Sequence, residues 1–257
     1  MAVGSPSRQC AISMSGFWSA LQFLSRIPVP RGEYRLADGV VWLPVVGFLL
    51  GGILAGVDWG LRWLAIDPLV GSTLVVVLLL VLSGALHADG LMDTCDAVFG
   101  HASPERRLEI MRDPRVAAFG VVGLICVVTL KITAVYALPA SIRLQLLLLA
   151  PALGRWSIVL LATVFPYGRA SGLGAPLNEA ATPRVLVLAS LLPLAGCAAL
   201  GLLGVLCGLL AVLVTLGLGR WLMRLLPGLT GDCYGAACEV VEASVWLSAA
   251  PLARVWT

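Results

Sequence analysis

The chain has 257 residues, of which 60% are hydrophobic and 12% charged, with a net charge of +3 at pH 7. Globular domains carry roughly 45–50% apolar and about 25% charged residues, so this composition excludes an ordinary soluble domain and points to an integral membrane protein. The small positive excess is nearly all arginine, with Lys131 the only lysine, and it forms no basic stripe, which excludes a nucleic-acid binder.

The expected fold is all-α: a polytopic membrane bundle of about seven transmembrane helices plus an N-terminal interfacial helix, since each crossing needs about 20 predominantly apolar residues. No polar linker is long enough to separate domains, so residues 1–257 are read as a single membrane-embedded unit. The N-terminal stretch MAVGSPSRQCAISMSGFW has no continuous apolar region, so no cleaved signal peptide is expected. Phe17, Leu21 and Leu24 recur at helical spacing in a segment too short to span, which predicts a short interfacial helix ended by Pro28 and Pro30. Spans are then expected over 39–61, 69–88, 117–138 and 144–165. The apolar run 185–226 is too long for one crossing and is divided in two near Gly201 to Gly208, and the last span covers 233–252.

Arginine asymmetry orients these spans with the N-terminus in the cytoplasm. Arg26, Arg31 and Arg35, then Arg106, Arg107, Arg112 and Arg115, then Arg169 and Arg184, and finally Arg220 and Arg224 all fall on one side. The other side keeps Arg62, Arg143 and Arg254, which have no expected role beyond topology. The seven cysteines, at 10, 95, 126, 197, 207, 233 and 238, include no CxxC pair, and most read as small apolar residues in apolar runs.

Chemistry concentrates in polar stretches on the cytoplasmic side. HADGLMDTCD, residues 87–96, places Asp89, Asp93 and Asp96 at i, i+4, i+7, one face of a helix at a membrane boundary. Three like charges there are costly unless solvated or neutralised by a cation, and carboxylate-only ligands suit Mg²⁺ or Mn²⁺. Gly90 would let another helix or a substrate approach the backbone closely. LTGDCYGAACEVVE, residues 229–242, repeats the pattern with Asp232 and Glu239 seven apart and Glu242 one turn on. Two acidic faces from two helices are able to close around metal, as in helix-bundle sites; the lesser alternative, which does not exclude this, is that Glu239 and Glu242 pair with Arg220 or Arg224.

Between the second and third spans, Ser103 is a helix cap, Pro104 its first position and Pro114 its end, with Arg106, Glu109 and Asp113 on one face and Arg112 and Arg115 at the C-terminus. The long loop 167–184 carries Arg169 and the backbone donors of Gly172 and Gly174. His87 and His101 are the only histidines; His87 has no partner at metal-ligand spacing and reads as structural rather than as a ligand or base.

With these motifs assembled, the chain resembles the cobalamin synthase family, the membrane-bound adenosylcobinamide-GDP ribazoletransferases. The resemblance runs from FLSRIPVP to TGDCYGAACEVVE and is carried by HADGLMDTCDAVFG, RRLEIMRDPRVAAFG and LTGDCYGAACE. The family's acidic motif usually reads DGLxDTxDG; Ala97 stands here in place of the final glycine, which removes no ligand. The motif is also similar to the acidic pattern of CDP-alcohol phosphotransferases, as a chemical analogy.

The resemblance implies an enzyme that joins adenosylcobinamide-GDP to α-ribazole or its 5′-phosphate, releasing GMP, with Mg²⁺ required. Such phosphoryl transfer depends on positioning and charge stabilisation. Asp89, Asp93, Asp96 and Asp232 are the expected metal ligands, with Glu239 a further ligand or the base. Arg106 and Arg112 are expected on the diphosphate, with Arg155, Arg169, Gly172 and Gly174 as further substrate contacts. Expected partners are the two small-molecule substrates and the bilayer of the inner membrane, with no nucleic acid. Self-association and contact with other enzymes of cobalamin biosynthesis are left open. The competing reading is a cation-coupled transporter, because intramembrane carboxylates also mark ion pathways; the clustering of the acids on one side, beside arginines and without an inverted repeat, disfavours it.

Overall fold

In the computed structural model, residues 13–169, 171–172 and 174–254 are described; Cys10 with the N-terminal segment, Leu173 and the side chain of Arg254 lie outside them. Helix α1 (Met14–Leu24) begins where the Ser13 side chain accepts the Gly16 N–H and stops ahead of Pro28. It buries Leu21 and Leu24, two of the three positions its periodicity singles out. Helix α2 (Leu36–Gly39) leads through a 3₁₀ turn into α3 (Leu43–Trp63). The Asp67 side chain accepts from Leu69 and Val70 at the start of α4 (Pro68–Leu82), with Pro68 at the first position, where its missing N–H is no loss.

The expected second span, 69–88, is not one helix. It breaks at Ser83–Ala85, and α5 (Leu86–Phe99) leaves at 89° to α4. Gly84 and Ala85 both adopt left-handed backbone, at φ +60° and +58°, which no L-residue run can continue as a helix. The Arg26 amide donates to the freed Leu82 carbonyl at 2.7 Å. The charged helix α5 thereby does not continue the axis of α4.

Helix α6 (Pro104–Ile110) is capped by Ser103 as expected but ends four residues short of Pro114. Arg112 and Asp113 therefore lie beyond it, and Asp113 does not share the face of Arg106 and Glu109. It pairs with Arg115, whose guanidinium and backbone N–H hold the Asp113 carboxyl down at about 2. There follow α7 (Ala118–Ala137), α8 (Ala140–Val164), α9 (Ala175–Ala180), α10 (Pro183–Ala199), α11 (Gly201–Leu222) and α12 (Gly231–Arg254). The division of 185–226 falls at Leu200, with Gly201 left-handed at φ +60°.

Among the described residues there is no strand, only an isolated bridge between Tyr167 and Leu229. Four of the described segments are long and apolar enough to cross a membrane: Leu36–Trp63, Ala118–Ala137, Ala140–Val164 and Gly201–Leu222. A fifth is added if α4 and α5 count as one broken span. Six of the seven expected spans each fall on one helical segment and the second falls on the broken pair α4–α5; α10 has 17 residues and α12 carries Asp232, Glu239 and Glu242, so length and composition alone support fewer crossings.

Helix α8 is the hub. Of its most apolar window 78% is buried, against 22% for α7 and α11, which turn most of their surface outward. It packs along α3 and α12, and α12 in turn meets α5, α7 and α11. Trp246 of α12 is fully buried and donates its indole N–H to the Leu146 carbonyl of α8 at 3.0 Å. On the far side, Arg143 is no mere topological signal. It is buried, forks onto Asp58 of α3 at 2.7–3.0 Å, and donates to Ser72 of α4 and the Val135 carbonyl of α7, joining four helices.

Candidate active site

Helix α5 crosses α12 where two glycines remove the side chains between them. A Cβ on Gly90 would lie 2.8 Å from the Asp232 carbonyl oxygen, and one on Gly235 3.2 Å from the His87 Cα. This close approach brings the two acidic motifs together. A cavity of about 110 Å³ opens at the crossing, lined by His87, Asp89, Gly90, Gly174, Asp232 and Gly235 among others.

Asp232 is held at its rim. The Thr230 hydroxyl donates to it at 3.1 Å, and Arg169 forms an ion pair with it at 2.9 Å. Arg169 is delivered by loop pairing: the Gly168 N–H donates to the Leu229 carbonyl at 2.7 Å and the Leu229 N–H to the Pro166 carbonyl at 2.9 Å. Arg169 does not itself line the cavity; its N–H groups are not aimed squarely at Asp232, and its buried Nε has no partner among the described residues. Gly174 lines the same cavity; Gly172, at φ +152°, does not, and a Cβ there would lie 2.6 Å from the Tyr167 hydroxyl oxygen.

The three aspartates of α5 share one helix but have different surroundings. Asp89 is exposed and faces the cavity, Asp93 is half-buried, and Asp96 is buried. Both oxygens of Asp96 accept backbone N–H groups at the start of α7, from Ala117 at 2.8 Å and Gly120 at 2.7 Å. This is a charged helix cap, and it gives Asp96 a structural duty that its spacing did not reveal.

Glu239 is not beside Asp232. It is 2% exposed and ion-paired to Lys131 of α7 at 2.6 Å. Lys131 also meets Glu242, which binds Arg155 of α8. Arg155, expected as a substrate contact, is thus enclosed in a four-membered ion cluster with Lys131, Glu239 and Glu242. Neither glutamate pairs with Arg220 or Arg224. The readable signal was Lys131 itself: a lone lysine inside a predicted span must find buried acids. Arg106 pairs with Glu109 at 2.6 Å on the surface, and Arg112 is exposed; neither lines the cavity.

Among the described residues, no three acidic, histidine or cysteine side chains come together as a ready cage for a metal ion. Mg²⁺ does not require one: it usually takes one or two protein carboxylates and completes its octahedron with water and substrate phosphate. Asp89 and Asp232, oxygen donors lining one cavity with Asp93 close by, fit that demand.

The family description "Cobalamin-5-phosphate synthase" matches residues 16–250, nearly the whole chain. The chain belongs to the cobalamin-5-phosphate synthase family. Its relatives include the adenosylcobinamide-GDP ribazoletransferase of Desulforamulus reducens, 42% identical over 228 residues that cover 87% of this chain and 91% of the relative. The enzyme of the same name from a Roseiflexus species is 41% identical over 230 residues, 87% of this chain and 84% of the relative. That of Desulfitobacterium hafniense is 37% identical over 257 residues, 93% and 98%. No solved structure matches the chain. As a member of the synthase family the chain is an enzyme, and the transporter reading falls.

Proposed function

We propose that this enzyme joins adenosylcobinamide-GDP to α-ribazole or its 5′-phosphate and releases GMP, by Mg²⁺-dependent phosphoryl transfer on the cytoplasmic face of the inner membrane. The observation that carries the proposal is the cavity at the α5–α12 crossing, lined by Asp89 and Asp232 from distant motifs, with Arg169 ion-paired to Asp232. The names of the relatives supply the substrate class.

In the reaction, a ribazole hydroxyl oxygen bonds to the cobinamide-side phosphorus, the bond from that phosphorus to the bridging oxygen breaks, and GMP leaves with that oxygen. The hydroxyl proton passes to a carboxylate of the site or to water. Asp89 and Asp232, with Asp93, would hold Mg²⁺, which when bound neutralises phosphate charge and polarises the phosphorus. Arg169 binds the diphosphate with a planar fork suited to phosphate oxygens. Arg106 and Arg112, on the exposed segment following α5, add positive charge where the diphosphate enters. The fixed backbone of the crossing positions the two substrates, and such positioning supplies a large share of the rate in phosphoryl transfer.

The test is GMP release by the purified protein in detergent, from adenosylcobinamide-GDP and α-ribazole, with no membrane gradient. Release is expected with Mg²⁺, is lost on chelation and returns when Mg²⁺ is restored. Absence of GMP with both substrates and metal present overturns the proposal.

A further inference from the structure

His87 sits on the first turn of α5, is 2% exposed, and lines the cavity that holds Asp89 and Asp232. Its Nδ1 faces Nη2 of Arg155 at 3.4 Å. A guanidinium has five donors and no acceptor, so a ring nitrogen facing it presents a lone pair. A neutral ring in this pose carries its proton on Nε2, and Nε2 is buried without a partner among the described residues. Buried polar groups are nearly always hydrogen-bonded, and an orphaned one in a site calls for an explanation.

Arg155 has its place for reasons that do not involve the histidine. One of its Nη atoms binds Glu242, which is shared with Lys131, which in turn holds Glu239 at 2.6 Å. Lys131, Arg155, Glu239 and Glu242 come from α7, α8 and α12, and their charges balance. The guanidinium is thereby held against the imidazole, which favours the tautomer with its lone pair on Nδ1.

We propose that His87 presents a neutral Nε2–H to the cavity as a hydrogen-bond donor to a phosphoryl oxygen of the bound substrate, with Arg155 setting the tautomer from behind. The assignment rests on the function proposed above. It gives the buried ion cluster a use: the cluster aims a donor from the membrane interior at the reacting group. It also replaces the reading of His87 as a structural residue only.

The test exploits the chain having just two histidines, the other being the exposed His101. Full-length protein labelled with ¹⁵N-histidine is studied by NMR in detergent, with H101Q assigning the two rings. The expected result is a His87 ring protonated at Nε2 and bare at Nδ1. Adding adenosylcobinamide-GDP and Mg²⁺ without the ribazole acceptor should shift the Nε2 signal of His87 and leave His101 in place. In kinetics, His87→Phe should lower kcat roughly ten- to a hundredfold, the effect of losing one hydrogen bond to a charged group. His87→Gln, which keeps an N–H at similar reach and an acceptor for Arg155, should recover most of it. A proton on Nδ1, a ring indifferent to substrate, or a well-folded His87→Phe with wild-type kcat each overturns the assignment. If His87→Phe does not fold, the two NMR results on the wild type still decide. Wild-type GMP release in the same preparation separates the two failures: present, only the histidine assignment falls; absent, the function falls and takes the assignment with it.

Discussion

Asp89, Asp93 and Asp96 look equivalent in the sequence and are not equivalent in the fold. Asp96 gives both oxygens to the first turn of α7, where a Cβ on Gly120 would lie 2.6 Å from one of them. Its removal should therefore act first on stability. Asp96→Asn keeps one acceptor but loses the charge at a helix N-terminus, with an expected cost of about 1–2 kcal/mol and a lower thermal midpoint in detergent. Asp89→Asn and Asp232→Asn should leave the midpoint near wild type, lower GMP release at limiting Mg²⁺ at least about tenfold, and raise the Mg²⁺ concentration needed for half-maximal rate. A midpoint drop for Asp89→Asn equal to that for Asp96→Asn, with unchanged Mg²⁺ dependence, would remove Asp89 from the proposed ligand set. The spacing i, i+4, i+7 was enough to place three acids on one helix. It said nothing of which acid meets a neighbouring helix, because that depends on the packing of α7, to which the sequence offers only the glycine at the end of RDPRVAAFG.

At the scale of elements, contact between α3 and α8 depends on the absence of side chains. Gly47 and Gly51 are four apart, the small-xxx-small spacing that lets membrane helices pack backbone to backbone. A Cβ on Gly47 would lie 2.5 Å from the Pro151 carbonyl oxygen and 2.6 Å from the Ala152 Cα. Neither atom is the end of a flexible side chain, so the helices must part. Gly47→Ala is expected to destabilise by about 1–3 kcal/mol, the usual cost of overpacking. Gly56, on the same helix, has nothing within 4 Å of the added atom, so Gly56→Ala should be neutral or stabilising through its better helix propensity. Thermal midpoints of the two variants in one detergent check this; equal midpoints would mean that α3 and α8 do not pack as described. Helix positions were legible because long apolar runs bounded by Pro, Gly and arginine are strong signals. The 89° break between α4 and α5 was marked only by Ser83-Gly84, a turn dipeptide inside a run that stays apolar on both sides, and the left-handed alanine after it leaves no compositional mark.

Over the whole molecule, charge is arranged by depth. Lys131 lies 13 residues into α7, roughly 20 Å along the helix at 1.5 Å per residue. There it is closed off with Arg155 and two glutamates, so the apolar layer carries no net charge from this cluster. Unbalanced charge collects at one end of α7. Asp96 ties that end to the acidic helix, so the cavity and Arg106, Arg107, Arg112 and Arg115 belong to one face of the molecule. At the other end of α7, Arg143 pairs with Asp58, as Arg106 and Arg115 pair with Glu109 and Asp113 on the cavity side; the rule counts arginines rather than net charge, and Arg106, Arg107, Arg112 and Arg115 outnumber Arg143. By the positive-inside rule, the proposed placement of the cavity is on the cytoplasmic side. Exposed positions on either side of α7 test this: Glu105→Cys before it and Ser141→Cys after it, each in a chain whose native cysteines have been replaced. A membrane-impermeant maleimide added to intact spheroplasts should label Ser141→Cys and spare Glu105→Cys, and inverted vesicles should give the reverse. Labelling of both positions from one side would mean that α7 does not cross. The exchanged pattern would put the cavity outside the cell, away from the cytoplasmic pool of nucleotide-activated substrate that the proposed reaction draws on.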